Sequence, residues 1–180
     1  SRKVKKKDYV LFFGRYSQEK GLATIVEAAK KLPQIPFIFA GSGPLEYMLD
    51  SIPNVKNVGF QRGEALETWI REAVLTVFPS ECNENCPFSV MESQMYGTPV
   101  LGADIGGIPE LIRVGKTGLL FESGNADDLQ EKIEKLWQAG LEVPQSVELI
   151  YKLNKELKLD IPLGVYDFDT CAELIEKEIN

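Results

Sequence analysis

Histidine is missing from all 180 residues. Without it, Ser-His-Asp and Cys-His catalysis cannot be assembled within the chain, and neither can most zinc sites. Cysteine is scarce, with only Cys82, Cys86 and Cys171. Three thiols fall short of a four-thiolate zinc site. An odd, sparse set predicts free thiols in a reducing compartment, hence a cytoplasmic location. No apolar run reaches the roughly 18 residues of a membrane span. The start lacks the apolar core of a signal peptide. A chain that opens on Ser1 rather than Met is expected to be a piece of something longer.

What is present is the composition of a soluble globular protein, 44% hydrophobic and 26% charged, in a length suited to one full domain. The net charge of −7 is unevenly spread. Arg2, Lys3, Lys5, Lys6 and Lys7 crowd the start with no acid among them. Taking those five from the total of 20 leaves 15 basic groups against 27 acidic ones, a net of −12. Such a body repels nucleic acid. Residues 1–8 read as a basic linker or domain boundary, with an anionic-membrane contact as the minor alternative. An anion bound by the body needs a local device: helix N-termini and one or two placed cations.

Short apolar runs alternate with helical patterns. Tyr9–Phe13, Pro36–Ala40, Val55–Phe60, Leu75–Phe78, Pro99–Ala103 and Gly118–Phe121 predict strands. Leu22 to Leu32, Leu66 to Ala73, Pro87 or Phe88 to Tyr96 and Ala126 to Ala139 predict helices, with shorter ones over 45–51 and 109–114. Near-continuous apolar strands are buried on both faces, and the βα alternation demands parallel pairing. The expected fold is an open, doubly wound, Rossmann-like α/β sheet of about six strands with helices on both faces. It should span residues 9–140, with 141–180 as a helical tail.

The unusual residues fall after strands. Gly14-Arg15, Gly41-Ser42-Gly43, Phe60-Gln61, Pro79 to Glu84 and Asp104-Ile105-Gly106-Gly107 each follow one. In a parallel sheet all of these share the carboxyl edge, where ligands bind. Any one glycine is most simply a tight turn, but five on one edge suggest close backbone approach to a ligand. Arg15 and Lys20 flank the turn into the first helix and suit a diphosphate clamp. Glu84 and Glu92 bracket the start of the helix after the fourth strand. General acid/base work is a weak inference from two acids alone, and helix-end stabilisation is the bland alternative. Beside a phosphate clamp, binding of vicinal sugar hydroxyls is the better reading.

Some motifs mislead. Gly41-x-Gly43 lacks the third glycine of the dinucleotide fingerprint, where Glu46 stands. Gly115-Lys116-Thr117 lacks the earlier P-loop glycine, where Glu110 stands. Asp167-Phe168-Asp169 spells a metal-binding D-x-D, but Asp169 reads as a helix cap. Cys82 and Cys86 read as packing or bystander thiols.

FFGRYSQEKG (12–21), AGSGP (40–44), PSECNENCPFSVMESQMYGTPV (79–100), GGIPELI (106–112) and GKTGLLF (115–121) occur in order. Together they resemble the C-terminal domain of the family 4 retaining glycosyltransferases (glycosyl transferases group 1), which have the GT-B fold. The likeness covers residues 9–139, and 168–179 resembles the closing helix. It implies a domain that binds a UDP-, GDP- or ADP-linked sugar. By that analogy Arg15 and Lys20 hold the donor diphosphate and Glu84 binds sugar hydroxyls; these three carry the chemistry. Gly14, Gly41 and Gly43 border the donor. Cys86, Pro87, Phe88 and Ser89 form the loop against sugar and phosphate. Phe60 and Gln61 lie beside the base, and Glu92 binds the ribose. Members often carry Gly-Phe-Gly inside the E-x7-E element, whereas this chain has Cys86-Pro87-Phe88-Ser89, and Pro87 has no N–H.

The resemblance further implies transfer with retention and no metal ion, cofactor or obligatory enzyme nucleophile. The acceptor belongs to an N-terminal domain outside this chain, so the chain alone should bind donor with little transfer. Membrane association would belong only to the full-length enzyme. Two alternatives stand beside this reading. One is a non-catalytic nucleotide-binding or protein-interaction module. The other is a GT-B epimerase or phosphorylase, which the E-x7-E spacing and the missing histidines disfavour.

Overall fold

A computed structural model describes residues 6–84 and 87–138. Cys86, Cys171, Asp167 to Asp169 and the expected tail over 141–180 lie outside the described residues.

The elements follow in chain order: β1 (Val10–Arg15), α1 (Leu22–Lys31), β2 (Phe37–Ser42), a 3-10 turn (Glu46–Leu49), β3 (Val55–Asn57) and α2 (Gly63–Glu72). Then come β4 (Leu75–Phe78), α3 (Phe88–Met95), β5 (Val100–Ala103), α4 (Ile108–Leu111), β6 (Gly118–Phe121) and α5 (Ala126–Gln138). Among the described residues the six strands form one parallel sheet in the order β3-β2-β1-β4-β5-β6. The chain winds outward from β1 in one direction and then from β4 in the other. The doubly wound expectation therefore holds, and β1 and β4 flank the point where the winding reverses.

Strand alternation explains the two helical layers. Val10 and Phe12 of β1, with Phe37 and Phe39 of β2, pack under α1 and α5 in the larger core. Leu11, Phe13, Ile38 and Ala40 point the other way and pack against Ile70 and Ala73. The central strands β1, β2, β4 and β5 thus bury both their odd and even residues, which is why those runs are near-continuously apolar, whereas β3 at the sheet edge leaves Lys56 and Asn57 exposed. The amphipathic helices close the two faces.

Several bounds differ from expectation for local reasons. β1 and β2 run through Gly14 and Gly41 to Arg15 and Ser42, because Gly14 pairs with Gly41 in register. A Cβ on Gly41 would lie 1.9 Å from the Gly14 carbonyl oxygen, so here glycine permits close pairing rather than ending the strand. β3 ends at Asn57, not Phe60: the Asn57 side-chain oxygen accepts from the Gly59 N–H at 2.9 Å and turns the chain. The short helix expected over 45–51 is a 3-10 turn, and the one over 109–114 is shifted to Ile108–Leu111. At the other end of the sheet, Lys6 donates to Thr98 Oγ1 at 2.7 Å and the Lys7 N–H donates to the Glu72 carbonyl. The last lysines of the basic start are therefore held against the body.

Candidate functional site

The carboxyl ends of β1 and β4 are extended by two loops that are tied together. Gly21 starts α1 in a left-handed conformation, with φ 68°. A Cβ there would fall 1.7 Å from the Pro79 carbonyl oxygen, so only glycine lets the α1 entry lie against the β4 loop. The Glu81 N–H donates to the Glu19 carbonyl at 2.9 Å, and Ser80 Oγ donates to the same carbonyl at 3.1 Å. Thr24 Oγ1 donates to Glu81 Oε1 at 2.6 Å. These bonds set Lys20, on the first loop, opposite Glu84, on the second.

Lys20 Nζ donates to Glu84 Oε1 in an ion pair. The same oxygen receives Ser80 Oγ at 3.3 Å and the Cys82 thiol at 3.7 Å. Partial burial pushes the Glu84 carboxyl upward. The Lys20 ammonium, with Ser80 and Cys82 behind it, more than offsets that, so the group sits below its ordinary range. Lys20 also lies 5.9 Å from the centre of the Phe78 ring.

The pair lines a cleft of about 230 Å³ that also takes in Phe12, Phe13, Gly14, Phe78, Pro79, Pro87, Phe88 and Ser89. Its position is the winding-reversal point between β1 and β4. Phe88 and Ser89 open α3, and first-turn N–H groups have no acceptor within their own helix. Pro87, just before them, supplies none. The cleft thus offers one ammonium and a helix N-terminus to an anion, and one carboxylate to hydroxyls.

Of the residues picked out in the sequence, Gly14, Lys20, Glu84, Pro87, Phe88 and Ser89 come together here. Of the other picked-out residues that are described, Arg15, Gly41, Gly43, Phe60, Gln61 and Glu92 do not line this cleft. Arg15 is exposed at the end of β1, where its charge and that of Lys20 reach Glu19; Glu19's own backbone N–H is the main influence holding that carboxyl below its usual range. Glu92 is exposed on α3. Phe60 is 69% exposed, and the Gln61 amide donates to the Val58 carbonyl at 2.7 Å, both beyond β2 from the cleft. Gly41 and Gly43 pack against Gly14 and Tyr16: a Cβ on Gly43 would meet the Tyr16 carbonyl oxygen at 2.4 Å.

Sequence reasoning missed the supports. Cys82 is no bystander, since its thiol addresses Glu84. Ser80, Glu19 and Gly21 join the loops. The Gly107 N–H donates to the Glu84 carbonyl at 2.8 Å, bringing the β5 loop in behind it. Only the glycines carried a visible signal. Among the described residues no three potential ligands group to hold a metal ion, and no helix is long and apolar enough to cross a membrane.

A family model described as glycosyl transferases group 1 matches residues 1–153. The sulfoquinovosyl transferase SQD2 of Arabidopsis thaliana is 33% identical over 157 residues, which cover 83% of this chain and 30% of that protein. The amylovoran biosynthesis glycosyltransferase AmsK of Erwinia amylovora is 31% identical, over 93% of this chain and 44% of that protein. The chain therefore spans less than half the length of either. The crystal structure of Anabaena Alr3699/HepE in complex with UDP superposes with a TM-score of 0.71 at 20% identity, covering 97% of this chain and 49% of that one. The catalytic domain of cholesterol-alpha-glucosyltransferase from Helicobacter pylori superposes at 0.63 and 19% identity, covering 97% of this chain and 99% of that one. At such identities the likeness is one of fold.

Proposed function

The chain belongs to the group 1 glycosyl transferases, and from that premise we propose that it is the donor-binding part of a retaining, metal-independent glycosyltransferase. Its ligand is a nucleotide-diphosphate sugar, in which UDP, GDP or ADP carries the sugar. The observation that carries the reading is the Lys20–Glu84 pair lining a cleft at the winding-reversal point. Lys20 and the α3 N-terminus suit the diphosphate, and Glu84 suits the sugar hydroxyls. The UDP bound in the Anabaena structure of similar fold is in keeping with that assignment.

In this reading Arg15 reaches the diphosphate from the rim, Phe60 and Gln61 border the base, and Glu92 takes the ribose. Leaving-group charge is carried by fixed cations and amides, with no metal, cofactor or enzyme nucleophile. An N-terminal domain of the whole protein holds the acceptor. The work is done in the cytoplasm, with any membrane contact made by the whole enzyme.

The test is thermal melting of the 180-residue chain with UDP, GDP and ADP. A ligand at about 100 times its Kd stabilises by roughly 2.7 kcal/mol. A shift with one nucleotide supports the reading. No shift with any of them supports a non-catalytic module instead.

A further inference from the structure

Resting on that reading, we infer that Glu84 is a specificity-determining residue that favours the sugar-bearing nucleotide over the free nucleoside diphosphate. Among the described residues lining the cleft, Lys20 and Glu84 are the only ionisable side chains; the remaining lining is aromatic, proline, glycine and one serine. The cleft therefore holds one positive and one negative charge in contact, within largely apolar walls. An anion drawn to Lys20 must come to rest beside a carboxylate.

The two nucleotides differ in what they present there. In the donor the terminal phosphate is capped on both sides, by its anhydride link to the inner phosphate and by its ester bond to the sugar, and sugar hydroxyls stand between it and Glu84 to donate to the carboxylate. On transfer, the bond from sugar C1 to the phosphate oxygen breaks and its electron pair stays on that oxygen. The acceptor oxygen bonds to C1, and its proton passes to the freed phosphate oxygen. That phosphate now keeps only its anhydride link and, like any phosphate with a single substituent, at pH 7 loses most of this proton, gaining about one negative charge. The hydroxyls leave with the product sugar, so the extra charge faces a bare carboxylate. Glu84 thus attracts the donor and repels the spent nucleotide.

The carboxylate is built to stay charged. Lys20 donates to Oε1, the Cys82 thiol and the Ser80 hydroxyl (whose one proton is shared with the Glu19 carbonyl) also lie against Oε1, and none of the three uses Oε2. Glu84 can accept a sugar hydroxyl through Oε2 without releasing its supports.

The experiment is isothermal titration of the full chain and its Glu84→Gln, Glu84→Ser and Glu84→Asp variants, at low salt. The ligands are UDP with UDP-glucose, GDP with GDP-mannose, and ADP with ADP-glucose. For the nucleotide that binds, the two neutral variants should bind the free diphosphate on the order of tenfold more tightly than wild type, and the sugar nucleotide no more tightly. Glu84→Asp keeps the charge and should keep the wild-type preference against the free diphosphate. Glu84→Ser provides a second neutral variant if Glu84→Gln does not fold. Neutral variants that bind the free diphosphate no better than wild type overturn the inference and leave the donor-binding reading standing. A wild-type chain that binds none of the six ligands overturns both.

Discussion

Gly106 stands against the backbone of Glu84: a Cβ on Gly106 would lie 2.8 Å from the Glu84 amide nitrogen and 3.0 Å from its carbonyl oxygen. Gly106 is also left-handed, with φ 56°. Gly106→Ala should therefore lower stability by about 1–3 kcal/mol and push the Glu84 loop outward. Urea unfolding checks the first part, and donor titration the second. Wild-type stability together with wild-type donor affinity would contradict this role.

The two cations should separate binding from folding. Arg15 is exposed, so Arg15→Ala should change stability by less than about 0.5 kcal/mol. Lys20 and Glu84 keep 31% and 20% of their side-chain surface, so losing that ion pair through Lys20→Met should cost no more than about 1 kcal/mol. Nucleoside-diphosphate affinity should fall by about tenfold or more for Lys20→Met, and less for Arg15→Ala. Titration that finds both variants equal to wild type removes the clamp.

Glu92 carries the ribose assignment. Glu92→Gln should weaken the ribonucleotide more than its 2′-deoxy counterpart, because the lost acceptor is addressed to a hydroxyl. Equal weakening of the two would move the ribose away from this side chain.

Lys6 gives a pH dependence with a definite sign. Burial pulls its ammonium down to about 8 from an ordinary value of 10.5. Between those values the unfolded chain binds more protons than the folded one, so this lysine makes stability rise with pH across that window. Below about 8 its burial penalty is fully present. Lys6→Met should remove that rise. Urea unfolding of both proteins at pH 7.5 and 9.5 checks it: wild type should gain stability relative to the variant, and parallel behaviour would contradict the burial.

Much of the fold was legible because burial on both faces writes itself into the strands. Leu75–Phe78 and Gly118–Phe121 begin and end where the sequence predicts them. The errors came where a side chain or a packing contact overrides propensity. Asn57 turns the chain early through its own side chain. Gly41 reads as a stop, yet it is a strand residue fitted to the Gly14 carbonyl. At the site, spacing pointed to Lys20 and Glu84 because charges on one sheet edge stand out in an acidic chain. It could not reveal that they touch, since they are 64 residues apart and meet through the Gly21–Pro79 approach. Ser80 and Cys82 fall in the stretch Pro79 to Glu84 that stands out after the fourth strand, but nothing in it marks them as supports of Glu84; those roles come from what the fold sets beside them.

The most direct measurement follows the backbone amides of the full chain by two-dimensional NMR while UDP, GDP or ADP is added. The largest shifts should fall on Gly14 to Gly21 and on Glu81 to Ser89, the two loops that meet at the Lys20–Glu84 pair. Shifts centred on the opposite edge of the sheet, or no shifts with any of the three, would contradict the account.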